Sequence, residues 1–248
     1  MSDPSQPRPE TGTLAEPQVR AMFDRIAGVY DRLNSVMTAG LHHRWRERAV
    51  ELAQVGPGSR VLDVATGTGD MAFALARAIG PHGNVVGADF SEQMLGIARA
   101  KAAAGAVGAD DAPVQFEQAN ALLLPHASDE FDAATVGFGV RNFSDLDQGL
   151  RELARVVRPG GHVVILEMTT PQKRPLASFF KLWFERAVPL LGRAAGDSDA
   201  YTYLPSSVRR FPGPEELAAR MTGVGLGDIR YVLTAGGIIA LHVGTVVT

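Results

Sequence analysis

The sequence predicts an α/β fold in which a doubly wound, mostly parallel sheet of seven strands carries helices on both faces and ends in an antiparallel hairpin. Three observations predict it. Short apolar runs alternate with helix-length segments from Arg60 to Met168, and such alternation builds parallel sheets covered on both sides. A Gly-Thr-Gly turn at 67–69 follows the first run and opens a helix, the arrangement of a ligand-holding βαβ unit. The last two runs are joined only by Thr234-Ala235-Gly236-Gly237, close enough for a hairpin.

Each element has its own signal. Gln18 to Gln54 carries helical spacing broken near Thr38-Ala39-Gly40, which predicts two or three helices ahead of the sheet. Arg60 to Ala65 and Asn84 to Asp89 are the first two strands, with the helix Asp70 to Ile79 between them. A helix over Ser91 to Ala103 opens with serine at its cap and leads to a third strand, Val114 to Ala119. The Gly-Ala run Ala102 to Ala109 reads as a loop or frayed helix end. Phe131 to Gly137 is the fourth strand, Leu146 to Val157 a helix, Pro159-Gly160-Gly161 a turn and His162 to Met168 the fifth strand. From Pro171 to Arg210 the alternation stops for an apolar helix and a Tyr-rich loop. It resumes with a helix over Pro214 to Thr222 and strands over Asp228 to Leu233 and Ile238 to Val247.

Composition narrows the function classes. With 248 residues and 46% hydrophobic content the chain can bury the core of one domain. Residues 1–16, rich in Pro, Ser, Thr and Glu, read as a disordered tail. The rest, 17–248, reads as a single domain with cover helices at 17–54 and an apolar insert at 171–210. A net charge of -3, from 24 Lys+Arg against 27 Asp+Glu, leaves no basic surplus for nucleic acid. The absence of cysteine removes disulfides, zinc-thiolate sites and thiol nucleophiles together. The six histidines are scattered or, at His42 and His43, adjacent, so no metal is expected. Neither a secretory signal nor an apolar run of ~20 residues is visible, so a cytoplasmic protein is expected, with peripheral membrane contact left open.

The candidate ligand site sits at successive strand ends. Gly67 and Gly69 let the backbone turn tightly and approach a ligand. Gly67 to Ala72 satisfies the G-x-G-x-x-G/A pattern of dinucleotide-binding folds, so a nicotinamide oxidoreductase is a competing reading. Against it stands Asp63 inside the first strand, a carboxylate that suits a cationic, amino-acid-bearing ligand and repels phosphate. Asp89 ends the second strand, where an acid accepts ribose hydroxyls. Asn120-Ala121 follows the third strand, where an amide can hydrogen-bond the edge of an adenine.

The motifs then narrow beyond a fold. Tyr30-Asp31-Arg32-Leu33-Asn34 with Thr38-Ala39-Gly40 and Arg44-Trp45, the segment Gly137 to Asn142, Arg155 to Gly161 running to Leu166-Glu167, and Asp199 to Pro205 with Phe211-Pro212 resemble the UbiE family of menaquinone and ubiquinone biosynthesis methyltransferases. The resemblance spans about Met22 to Gly244. Leu33, Thr38, Arg158 and Thr169 depart conservatively from the family pattern, whereas Gly137 stands where several relatives carry a cofactor-binding serine. The resemblance implies a class I S-adenosylmethionine-dependent methyltransferase, Rossmann-like in fold. It implies that Thr68, Asp89, Asn120 and Ala121 hold S-adenosylmethionine, with Asp63, Gly67 and Gly69 shaping the cradle.

It also implies a prenylated quinol as substrate, demethylmenaquinol first and a methoxybenzoquinol as the alternative, and it leaves a homodimer open. Methyl transfer to a ring carbon requires alignment, an oxyanion stabiliser and a base. Arg141 and Asn142, just past the fourth strand, are the candidates to stabilise a phenolate and orient the ring, with an ion-pair role for Arg141 as the other reading. Tyr30 and Asp31 on the cover helices are candidates to close the site or relay a proton. The aromatic stretch Leu176 to Leu191, including Phe180 and Trp183, reads either as a buried insert helix or as a tail-binding, membrane-resting one.

Overall fold

The computed structural model describes residues 16–38, 40–171 and 198–247. The expected tail before Glu16 and the aromatic stretch Leu176 to Leu191 lie outside them. In chain order the elements are α1 (Glu16–Thr38), α2 (Leu41–Ala53), β1 (Arg60–Val64), α3 (Asp70–Ile79), β2 (Asn84–Asp89), α4 (Glu92–Lys101), β3 (Val114–Gln118), β4 (Phe131–Gly137), α5 (Leu146–Val156), β5 (Val157–Met168), α6 (Ser198–Arg210), α7 (Pro214–Gly223), β6 (Leu226–Thr234) and β7 (Ile239–Val246). The seven strands form one sheet in the order β3-β2-β1-β4-β5-β7-β6. β1 to β5 pair in parallel, and β7 runs antiparallel to both β5 and β6.

Alternation along the strands sorts their side chains into two cores. Leu62, Val86, Ala134 and Ile165 meet Leu150 and Leu153 of α5 and Leu217 and Met221 of α7 on one face. Val61, Val85, Ala133, Val164 and Leu241 meet Ala49 and Ala53 of α2 and Leu75 and Ile79 of α3 on the other. Burial on both faces explains why the strands read as continuous apolar runs.

Several boundaries differ from the sequence reading. Glu16, assigned to the tail, is the first described residue of α1. The predicted helix and turn at 157–161 become the start of β5, because α5 ends at Val156. Pairing jumps there from Phe131↔Val157 to Ala133↔His162, so Pro159-Gly160-Gly161 is absorbed as an irregularity of the strand. Within the predicted Tyr-rich loop, Ser198–Arg210 is helical and carries Pro205 inside it. α4 opens as expected, with Ser91 Oγ accepting a hydrogen bond from Met94 N at 3.1 Å. Its far end continues into a wide turn, Ala102–Ala106, that stops where Gly105 adopts φ 93°.

Candidate active site

Strand order reverses between β1 and β4, and open α/β sheets bind ligands in the crevice that this reversal leaves at the carboxyl ends. Here it is a cleft of ≈ 720 Å³, open solvent included, walled by Val64 and Ala65 after β1, Asp89 and Phe90 after β2, Ala119 to Leu122 after β3, and Gly137 to Gly139 after β4. Glu16, Phe23 and Tyr30 of α1 form its cover. Two non-glycine residues in the left-handed region, Ala65 at φ 54° and Phe138 at φ 62°, flank the reversal. Strained backbone of this kind persists where surrounding structure enforces it and is common at ligand sites.

The glycine turn is shaped from below. Gly69 has φ 88°, and a Cβ there would lie 2.9 Å from the Phe73 ring and 3.0 Å from that of Phe116, so glycine is required twice over. Gly67 N–H donates to Asp89 Oδ2 at 2.8 Å, and Ser91 N–H donates to Asp89 Oδ1 at 2.9 Å. Burial pushes the Asp89 carboxyl up to about 6 despite these two donors. Asp63 is also pushed up to about 6 by burial. It accepts from the Thr66 hydroxyl at 2.6 Å and the Thr135 hydroxyl at 2.7 Å. Asp63 is fully buried, is absent from the cleft wall and supports the turn from beneath.

Thr68 and Asp31, expected at the cofactor and the substrate, meet each other. The Thr68 hydroxyl donates to Asp31 Oδ1 at 2.6 Å, while Lys101 Nζ lies 2.6 Å from Asp31 Oδ2 and 2.8 Å from Asp70 Oδ1. Asp31 and Lys101 are about one-third exposed, so their ion pair contributes at most ~1 kcal/mol. The hydroxyl bond to a charged carboxylate is the stronger link, about 1.5–3 kcal/mol. Asp24 Oδ1 accepts from the Ser91 hydroxyl at 2.5 Å, and Glu16 Oε1 accepts from Asn120 Nδ2 at 3.0 Å. Glu16, Asp24 and Asp31 therefore recur at steps of eight and seven, about two helical turns each, along one face of α1. They fasten it in turn beyond β3, β2 and β1.

Arg141 is not on the cleft wall. Its side chain is 7% exposed, and Nη1 lies 2.5 Å from Glu167 Oε1, itself 1% exposed, and 2.7 Å from the Phe138 carbonyl that accepts from it. Burial disfavours the guanidinium charge, but Glu167 and then Tyr30 outweigh it and raise Arg141 above its ordinary value. The ion-pair role left open at Arg141 is the arrangement seen. Its Nε–H has no hydrogen-bond partner among the described residues. Asn142 does line the cleft, and its Oδ1 accepts from the Tyr203 hydroxyl at 3.1 Å. Tyr203 belongs to α6, so that helix is tied to the site as well.

A family model described as the ubiE/COQ5 methyltransferase family matches residues 11–246. The chain belongs to that family. It is 46% identical over 224 residues to a demethylmenaquinone methyltransferase of Thermus thermophilus, covering 90% of this chain and 99% of that one. It is 41% identical to a ubiquinone/menaquinone biosynthesis C-methyltransferase of Geobacter sulfurreducens, covering 92% of this chain and 88% of that one. Among solved structures it is similar to an S-adenosylmethionine-dependent methyltransferase of Aquifex aeolicus, at TM-score 0.61 and 16% identity over 95% of this chain and all of that one. The [4+2]-cyclase SpnF is similar at TM-score 0.67 and 18% identity, over 94% of this chain and 96% of that one. These two share the fold alone, and one of them is a cyclase, so the family match and the site carry the functional argument.

The sequence reading missed Glu16, Asp24, Lys101 and Glu167. A signal existed for two sets of them. Acids two turns apart on a cover helix read as a seam, and a carboxylate closing the apolar run Val163 to Leu166 demands a buried partner. Nothing in the spacing pointed Lys101 at Asp31.

Proposed function

We propose that this protein transfers a methyl group from S-adenosylmethionine to a ring carbon of a prenylated quinol, with demethylmenaquinol as the foremost substrate. The observation that carries it is the covered cleft at the strand-order reversal, held in a chain 46% identical, nearly end to end, to a demethylmenaquinone methyltransferase. The residues present suit the cofactor. A buried carboxylate, Asp89, an amide, Asn120, and open backbone at Gly67 and Gly137 line the same space. At Gly137 an added Cβ would meet only the flexible end of Met71, at 3.3 Å, so backbone and not a hydroxyl borders the cofactor there.

Bound in this cleft, the cofactor supplies an electrophilic methyl group. Asp89 would hold the ribose hydroxyls, Asn120 and Ala121 would border the adenine, and α1 would exclude water from the closed site. Asn142, which lines the cleft and accepts from Tyr203, would orient a hydroxylated ring. Arg141 stands behind the cleft wall, paired with Glu167, and would act on charge developing on the ring oxygen through its field and not by direct contact. Tyr30, on the covering face, is the candidate to move the ring proton. Since the reaction needs an electron-rich carbon, only the reduced ring should react.

The matching names that combine ubiquinone and menaquinone, at 37–41% identity, favour a second substrate reading, a methoxybenzoquinol in the same cleft. No helix among the described residues is long and apolar enough to cross a membrane, so a prenyl tail would be met by peripheral contact with lipid. The exposed edge strand β6, with Val232 and Leu233 outward, supports pairing with a second copy. Methyl incorporation from labelled cofactor into demethylmenaquinol and into the benzoquinol, each with and without reductant, tests the reading. Equal rates on quinone and quinol, or no transfer to either ring, overturn it.

A further inference from the structure

The cover helix brings an acid, Glu16, into the cofactor cleft. Glu16 lies on the cleft wall, beside Asn120 at the end of β3. Its Oε1 accepts from Asn120 Nδ2 at 3.0 Å, while Asn120 Oδ1 accepts from the Leu122 backbone N–H at 2.9 Å. The amide is thus fastened at both ends, its oxygen engaged in its own turn and its nitrogen engaged by Glu16. What this arrangement offers a ligand at the β3 end is a carboxylate acceptor. Its position is not that of a free helix end, because Asp24 and Asp31 fasten the same face of α1 at Ser91 and Thr68.

A purine base can be recognised by the pattern of donors and acceptors on its edge, and adenine differs from hypoxanthine in carrying a 6-amino donor where the other carries a carbonyl. A carboxylate pairs with the former and is left unpaired by the latter, an asymmetry that gives strong discrimination. We propose that Glu16, held by Asn120, is the residue that reads the adenine amino group of the cofactor, so that part of the base-specificity of this site resides on the covering helix α1. The inference rests on the cofactor reading given above.

The test is calorimetric binding of S-adenosylhomocysteine, of S-inosylhomocysteine and of the analogue with no group at the purine 6-position, by the full chain and by Glu16→Ala and Glu16→Gln. The wild-type protein is expected to prefer the adenosine compound over both others by at least about tenfold. Glu16→Ala should reduce that preference to about twofold, chiefly by weakening the adenosine compound. Glu16→Gln, which keeps an oxygen acceptor but loses the charge, should fall between them. A preference unchanged in either folded variant overturns the role of Glu16. So does equal wild-type affinity for the adenosine compound and the 6-unsubstituted analogue, a result that needs no variant to fold. Failure of the wild-type protein to bind S-adenosylhomocysteine at all would instead strike the cofactor reading.

Discussion

Asp89 shows what a single buried carboxylate asks of its surroundings. It was legible from the sequence as the acid ending the second strand, 22 positions after Gly67. Its two backbone donors were not, because a turn's geometry is absent from residue identity. With its carboxyl pushed up to about 6, the group gains a proton as pH falls through that value and loses acceptor capacity for the ribose. Cofactor affinity should accordingly fall below about pH 6 and level off above it. Asp89→Ala should weaken S-adenosylhomocysteine binding by about 1.5–3 kcal/mol at pH 8 and flatten this dependence; calorimetry across pH checks both. Arg141 is the opposite case, a residue whose type was informative and whose aim was not. A guanidinium cannot be buried without a carboxylate, and the partner lay 26 residues on, at Glu167. Arg141→Leu strands that carboxylate, so a loss of about 3–5 kcal/mol of stability is expected in chemical denaturation, alongside lost turnover. Arg141→Leu with Glu167→Leu should recover much of the stability and none of the turnover.

The elements β1 to β4 were read from the sequence to within about a residue because buried parallel strands advertise themselves as apolar runs. The ends of the chain's helices were harder. At Val157 a strand begins where helical periodicity had not yet faded, since pairing with Phe131 outweighs local preference there. The seam on α1 has the clearest consequence at this scale. Asp31→Ala removes the acceptor for the Thr68 hydroxyl and one partner of Lys101. Amide exchange in α1 should speed up by about ten- to a hundredfold, as for a loss of about 1.5–3 kcal/mol, while β1, β4 and β5 keep their protection. Uniform acceleration across the sheet would show that α1 is part of the global folding unit and not a separately fastened cover.

Across the whole molecule, the amino ends of the parallel strands lie away from the cleft and carry packing. Phe131, fully buried at the amino end of β4, packs edge-on against His126 with ring centres 4.8 Å apart and lies beneath the Arg60 guanidinium at 5.1 Å. Phe131→Ala should cost about 3–5 kcal/mol, read as a midpoint lowered by roughly 10 °C, with cofactor affinity unchanged in the protein that remains folded. The reversed direction of β7 has a practical bearing on any study of the protein. Because Ile239 pairs with Met168 and Val246 with Leu226, the chain enters β7 beside the cleft and leaves it on the far side of the sheet. A fluorophore, affinity handle or surface linker grafted after Val246 would therefore stand clear of incoming ligand. The same graft placed at Glu16 would stand on the cleft wall itself, and binding kinetics measured that way would report the graft as much as the protein.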